Sequence, residues 1–176
     1  MTATPSFLQA IIDYIQAQGI ATFGTDLYGS FYPSGAPDTC LLIKQSSGPA
    51  PTKYMPIAET TIQCLSRAPY SPDAEARIMK VYELFHGKVE DEGEGGDARV
   101  RWVPRHNYKV GGGTANGAEP EPEDIQFHIL NSEALQFPGD ISPDEAGRAE
   151  WSVNFYFKYR LPKPPEIEPE DPDPDD

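Results

Sequence analysis

The residues best suited to chemistry in this chain are three histidines, His86, His106 and His128, and two cysteines, Cys40 and Cys64. The histidines fall in different segments. None has an i,i+4 partner or a neighbouring carboxylate set that would build a metal site or a proton relay. The cysteines lie 24 positions apart, with no C-x-x-C and no histidine pair nearby. Two buried structural thiols are expected, rather than zinc ligands or a disulfide framework. Serines occur without the G-x-S-x-G turn that exposes a nucleophile. Paired acids sit mainly in Pro- and Gly-rich stretches, where no burial would raise a carboxyl group into the general-acid range. Residues 110–124, VGGGTANGAEPEPED, resemble a phosphate loop only superficially: the terminal Lys-Ser/Thr is missing and acids follow. No catalytic residue, no metal and no cofactor is expected, and the chain is not expected to be an enzyme.

One basic cluster stands out. Arg99, Arg101, Arg105 and Lys109 interleave with Trp102 and Tyr108, a mixture that single-stranded nucleic-acid platforms also use. The segments on either side, 88–97 and 119–124, each carry a net −4, which would repel a phosphate backbone. Pairing of these bases with acidic loops, within the chain or across a subunit boundary, is the more economical role; a strand with solvated alternate residues is the plainest. Overall the 176 residues hold 28 acids and 14 bases, a formal charge of −14. The tail from 162 to 176, PKPPEIEPEDPDPDD, contributes −6, so the three acidic segments account for the whole −14 and the rest is balanced. That balance excludes a nucleic-acid reader. No apolar run approaches the ~20 residues of a membrane helix, and the first 19 residues lack the features of a signal peptide, so a soluble chain remaining in the cytoplasm is expected.

The elements that would position such residues are legible from periodicity. Phe7, Leu8, Ile11, Ile12 and Ile15 make one helical stripe, with Thr4 as expected cap, Pro5 at the first position and Gly19 past the end. A second helix is expected from Ser71 to His86, with Ile78, Met79, Tyr82 and Phe85 inward. Residues 151–161 alternate strictly, Trp151, Val153, Phe155, Phe157, Tyr159 and Leu161 on one side, which is a strand with one face on the helices and one towards water or a partner. Thr39–Gln45 and Ile57–Ser66 are further strands, and Arg99–Val103 and Ile125–Leu130 shorter ones. The order fits a two-layer α+β fold: a mixed or antiparallel sheet with two main helices packed on one face. The expected organisation is a single domain over 1–161, with long acidic and Gly-rich loops at 88–124. A Pro-rich acidic tail without packed structure follows at 162–176; it lacks the glycine turn and ligand spacing of an EF-hand loop.

Several ordered pieces carry a resemblance. They are a helix ending in QGI, the strand PDTCLLIKQ, then TTIQCLSRAP with Gln63 and Arg67 leading into a helix ending YELFH, and finally GDISPDEAGRAEWSVNFYFKYR. The last block, with Gly139, Asp140, Ile141, Asp144, Glu145, Gly147, Arg148, Asn154 and Phe155, is the most telling. Over about residues 5–161 the chain resembles the tail terminator and minor capsid proteins of long-tailed bacteriophages. The resemblance implies a structural virion protein at the head–tail interface, assembled in the host cytoplasm. It implies a homo-oligomeric ring, usually of six subunits, that caps the tail tube protein, stops its polymerisation and meets the head-completion and connector proteins, with DNA crossing the lumen unbound. A neighbouring head–tail joining component is the alternative in the same class, and an acidic DNA mimic the alternative in another.

Residue by residue, Tyr156, Lys158 and Arg160 on the exposed side of the last strand are interface candidates, as are Arg99 and Arg101. The 132–150 connection is too long for a hairpin and is expected to face a partner. Within it Gly147 is expected to supply a positive φ, and Arg148 to pair with Asp144 or Glu145, or to reach across subunits. Six copies would carry −84, and acids of 88–97 and 119–124 facing the lumen would keep a duplex sliding; plain solubility accounts for the same composition.

Overall fold

The computed structural model describes residues 6–49, 51, 56–92, 99–104, 108–110 and 127–161. The expectations for Arg105, His106, the Gly-rich stretch 111–124 and the tail from 162 lie outside them; those for Thr4 as cap and Pro5 as first helical residue do not hold, because the first helix begins at Phe7.

Helix α1 spans Phe7–Ala17. Its cap is Ser6, not the expected Thr4: the Ser6 hydroxyl accepts from the Gln9 backbone N–H at 3.1 Å. A capping side chain must stand directly before the first helical residue, and here that residue is Phe7 itself. The helix ends on Gly19 at φ +67°, with Gly19 N–H donating to Gln16 and Ile20 N–H to Ile15, the paired closing bonds of a Schellman turn. Helix α2 spans Ser71–His86. Its C-terminus is tied to the sheet, since Ser132 donates to the Phe85 carbonyl at 2.6 Å and the Ala134 N–H donates to His86 Nδ1 at 2.9 Å.

The strands are β1 (Leu27–Gly29), β2 (Cys40–Ser46), β3 (Ile57–Ala68), β4 (Gly87–Glu92), β5 (Arg99–Pro104), β6 (Tyr108–Val110), β7 (Phe127–Ala134), β8 (Gly139–Ile141) and β9 (Ala149–Arg160). Seven form one sheet in the order β1-β2-β3-β9-β7-β6, with β8 on the free part of β9; β4 and β5 pair separately. β1 runs parallel to β2 and every other pairing is antiparallel, so the sheet is mixed. Both helices pack on one face, and the fold is two-layer α+β.

Several expectations change. The 57–66 strand runs on to Ala68, the 151–161 strand starts at Ala149, and the 125–130 strand becomes 127–134. The 88–97 stretch begins as strand β4 rather than loop, and its register sets Glu90 opposite Arg101 and Glu92 opposite Arg99. The 132–150 connection is not one loop, because it holds the end of β7, all of β8 and the start of β9. Strands of three residues are too short to show a period, which is why β1, β6 and β8 escape a pattern search.

The core lies between the helices and the inward side of the sheet. Val153, Phe155, Phe157 and Tyr159 of β9 stand beside Cys64, Ile62, Thr60 and Ala58 of β3, and all are buried. Phe7 stacks on Tyr159 with centroids 3.8 Å apart and meets Phe127 edge-on at 5.4 Å. Phe85 does the same against Phe155 and Phe157 at 5.4 and 5.3 Å. Each such ring contributes ~1.5–3 kcal/mol through burial, with aromatic geometry adding to it. Cys40 and Cys64 are both free and buried.

Candidate assembly surface

The face of the sheet away from the helices carries the alternate residues, and it divides into two halves. Successive rows across β2, β3 and β9 read Cys40–Arg67–Glu150, Leu42–Leu65–Ser152, Lys44–Gln63–Asn154 and Ser46–Thr61–Tyr156, followed on β3 and β9 by Glu59–Lys158 and Ile57–Arg160. In the first two rows every residue is buried except Glu150, which is half-buried. From the third row on they are exposed or half-exposed. β3 records the change directly, alternating up to Gln63 and then staying buried from Cys64 to Ala68.

The covered half is closed by two loops, residues 30–39 and 142–148, through a knot of charge. Arg67, 6% exposed, donates through Nη2 to the Pro37 carbonyl at 3.0 Å, lies 4.2 Å under the Tyr32 ring and approaches Asp144 at 3.8 Å. Arg148 grips Asp144 through Nε at 2.8 Å and Nη2 at 2.6 Å, and reaches Asp38 with Nη1 at 2.9 Å. The other Asp144 oxygen accepts from the backbone N–H of Ala146 and of Arg148, both at 3.0 Å. Gly147, at φ +77°, lets the chain turn tightly enough for this. The Arg148 hydrogen bond holds the Asp144 carboxyl below the ordinary carboxylate range, while burial, then the nearby Asp144 charge, pushes Glu150 up. Burial likewise raises the Cys40 thiol. The arrangement neutralises and locks; among the described residues no group of His, Cys, Asp or Glu could hold a metal ion.

The open half is polar and at least partly exposed. Lys158 Nζ lies 3.3 Å from Glu59, and hydrogen bonds from Tyr156 and Lys158 hold the Glu59 carboxyl low. Partial burial and that same bond push the Tyr156 hydroxyl up to about 12. Arg160 is exposed at the end of β9, opposite Ile57 and His128.

A family model described as bacteriophage tail terminator protein matches residues 14–115, more than half of the chain. The chain belongs to the bacteriophage tail terminator family. A structural role in the phage tail follows from that membership. A solved chain described as the virion of native gene transfer agent (GTA) particle is similar over 90% of this chain and 100% of that one, at 12% identity and a TM-score of 0.46. No curated protein matches. Among the described residues of this tail terminator family member, no helix is long and apolar enough to cross a membrane.

The residues singled out from the sequence separate in space. Tyr156, Lys158 and Arg160 lie on the open half; Asp144, Gly147 and Arg148 lie in the covered half, where Arg148 pairs with Asp144 rather than Glu145. Arg99 and Arg101 sit on β5 in the separate β4–β5 ladder. Tyr32 and Asp38 were not legible as partners: Asp38 precedes Arg148 by 110 residues, and no local spacing signals such a contact. Arg77 and Asp26, paired at 2.9 Å between α2 and the turn before β1, are hidden for the same reason.

Proposed function

We propose that this chain caps the finished tail tube as a closed ring, of six copies on the family's resemblance, ending polymerisation of the tube protein and presenting the surface on which head-completion proteins dock. The observation that carries the reading is the family match across residues 14–115. Support comes from the open half of the outer sheet face, a rigidly backed polar surface whose Tyr156, Lys158 and Arg160 suit a neighbouring subunit or the tube end. The expected neutral body with acid concentrated in three segments fits a subunit with DNA passing nearby, which acids repel and bases would retain. Removing the chain from an otherwise complete assembly is the test. Tubes that grow past their normal length and fail to join heads are expected; tubes of normal length that still lack heads would favour a head–tail joining component instead.

A further inference from the structure

Six large hydrophobic side chains stay exposed among the described residues, and five of them gather at opposite edges of one end of the sheet. A single row fixes the geometry: Leu27 of β1 is paired with Leu41, Leu41 with Ser66, Ser66 with Trp151, and Trp151 with Asp140 of β8. β1 and β8 are therefore the outer strands of a five-strand span, ~19 Å apart at ~4.8 Å per strand. On the β1 side, Phe23 is 49% exposed and bridged to Leu27, and Phe31, two residues past Gly29, is 69% exposed. On the β8 side, Leu135 is 56%, Phe137 65% and Ile141 38% exposed. Phe137 is braced edge-on against Tyr82 of α2 at 5.3 Å, so this patch is pre-shaped.

Charge decides which edge can meet which. Residues 18–39 hold two charged residues, Asp26 and Asp38, each paired with an arginine, Arg77 and Arg148. Residues 133–148 hold Glu133, Asp140, Asp144 and Glu145 against one base, Arg148, which is bound to Asp144, so this edge stays acidic. Two β8 edges would repel each other, whereas an acidic edge meets a neutral one without penalty. The areas are also of the right order. At ~200 Å² per large side chain, the exposed fractions of the five come to roughly 500 Å², close to the ~700 Å² of apolar surface in a small standard interface. Two unlike edges on opposite sides of a subunit make head-to-tail contacts, which generate a ring when the rotation closes.

We propose that the β1 edge of one copy packs on the β8 edge of the next, Phe23 and Phe31 against Leu135, Phe137 and Ile141. The occupant of each edge is a second copy of this chain, and the inference rests on the ring reading above. It moves the subunit contact away from Tyr156, Lys158 and Arg160 and leaves that open half for an axial partner.

The test uses the full chain assembled on tails. Phe31→Cys and Phe137→Cys are made singly and together, the tails are oxidised, and products are resolved without reductant. The double variant should give a ladder of multimers ending in a closed ring, and each single variant only monomer. Self-cross-linking of a single variant would mean a two-fold contact and overturn the proposal. A ring seen by microscopy with no cross-link in the double variant would leave the ring reading standing and sink this interface. No ring and no cross-link would sink both. As a second measure, Phe31→Glu should cut assembly at least tenfold at an unchanged melting temperature, and Phe31→Lys, facing the acidic edge, should retain most of it. Equal effects from the two charges would also overturn the proposal.

Discussion

The two halves of the outer sheet face are built on the same strands with the same alternation, yet one is core and the other is surface. Arg67 and Glu59 both occupy outward positions on β3, four rows apart. Arg67 is sealed beneath Tyr32 and the 142–148 loop, while Glu59 keeps a single exposed cation, Lys158, beside it. The difference is made by chain that is distant in sequence. A strand's pattern fixes which side each residue takes; what lies on that side is set by loops that fold back from elsewhere.

Removing the seal should produce the largest effect. Arg67→Ala takes away the cation that Asp144, Tyr32 and the Pro37 carbonyl share; Arg148 still holds Asp144, so the cost is the lost packing of a buried side chain and the orphaned carbonyl, ~2–4 kcal/mol. A fall of that order in unfolding free energy, measured in denaturant, is expected; a loss below ~1 kcal/mol would mean that the loops cover the sheet without help from this knot.

Gly147→Val attacks the same half through the backbone. The position has open space for a Cβ but a φ of +77°, so the cost is conformational, ~1–2 kcal/mol, with a β-branched residue at the upper end. Proteolysis within 142–148 should quicken accordingly. Gly48 poses the opposite problem beside the open half: a Cβ there would overlap the Glu59 carbonyl. Gly48→Ala should therefore force β3 and the 47–49 turn apart, at ~1–3 kcal/mol, read as a lowered melting temperature.

Acid separates the halves further. The Asp144 carboxyl is held below its unfolded value, so its contribution is complete above pH ~4 and disappears as pH falls through the lower folded value. His86 behaves likewise at higher pH. Burial lowers it, and its Nδ1 must stay unprotonated to accept from Ala134. Its contribution is full above pH ~6.5 and fades as pH drops below that. Hydrogen-exchange protection of the Ala134 amide, corrected for the intrinsic pH dependence of exchange, should fall between about pH 6.5 and 5, before the 142–148 loop loosens near pH 4 or below; the reverse order would contradict these assignments.

The smallest effect on stability belongs to the open half. Lys158→Ala and Arg160→Ala should each change unfolding free energy by no more than ~0.5 kcal/mol, while lowering the yield of joined tails. Stability loss of several kcal/mol from either would mean that the two halves are not distinct.

Much of this was readable in the sequence, for reasons that also mark where reading stops. The stripe of Phe7, Ile11 and Ile15 and the alternation from Trp151 to Tyr159 identify their elements because burial imposes a period on the chain. Asp144, Gly147 and Arg148 are within four residues of one another, so a turn and an ion pair could be expected there. Asp38 and Tyr32 carry no such trace, since their contacts to Arg148 and Arg67 close only after β2, β3 and β9 have assembled. The Ser6 cap illustrates a finer limit: Thr4 and Ser6 have similar capping chemistry, and the backbone decides between them.

A reconstruction of the tail end at side-chain resolution would show both halves of the sheet in place. A closed ring of this chain is expected on the last layer of tube, with loops 30–39 and 142–148 lying on their own sheet and the open half, around Tyr156 and Lys158, covered by another protein. A lone copy at the tube end, or a ring whose open half faces only solvent, would contradict this arrangement.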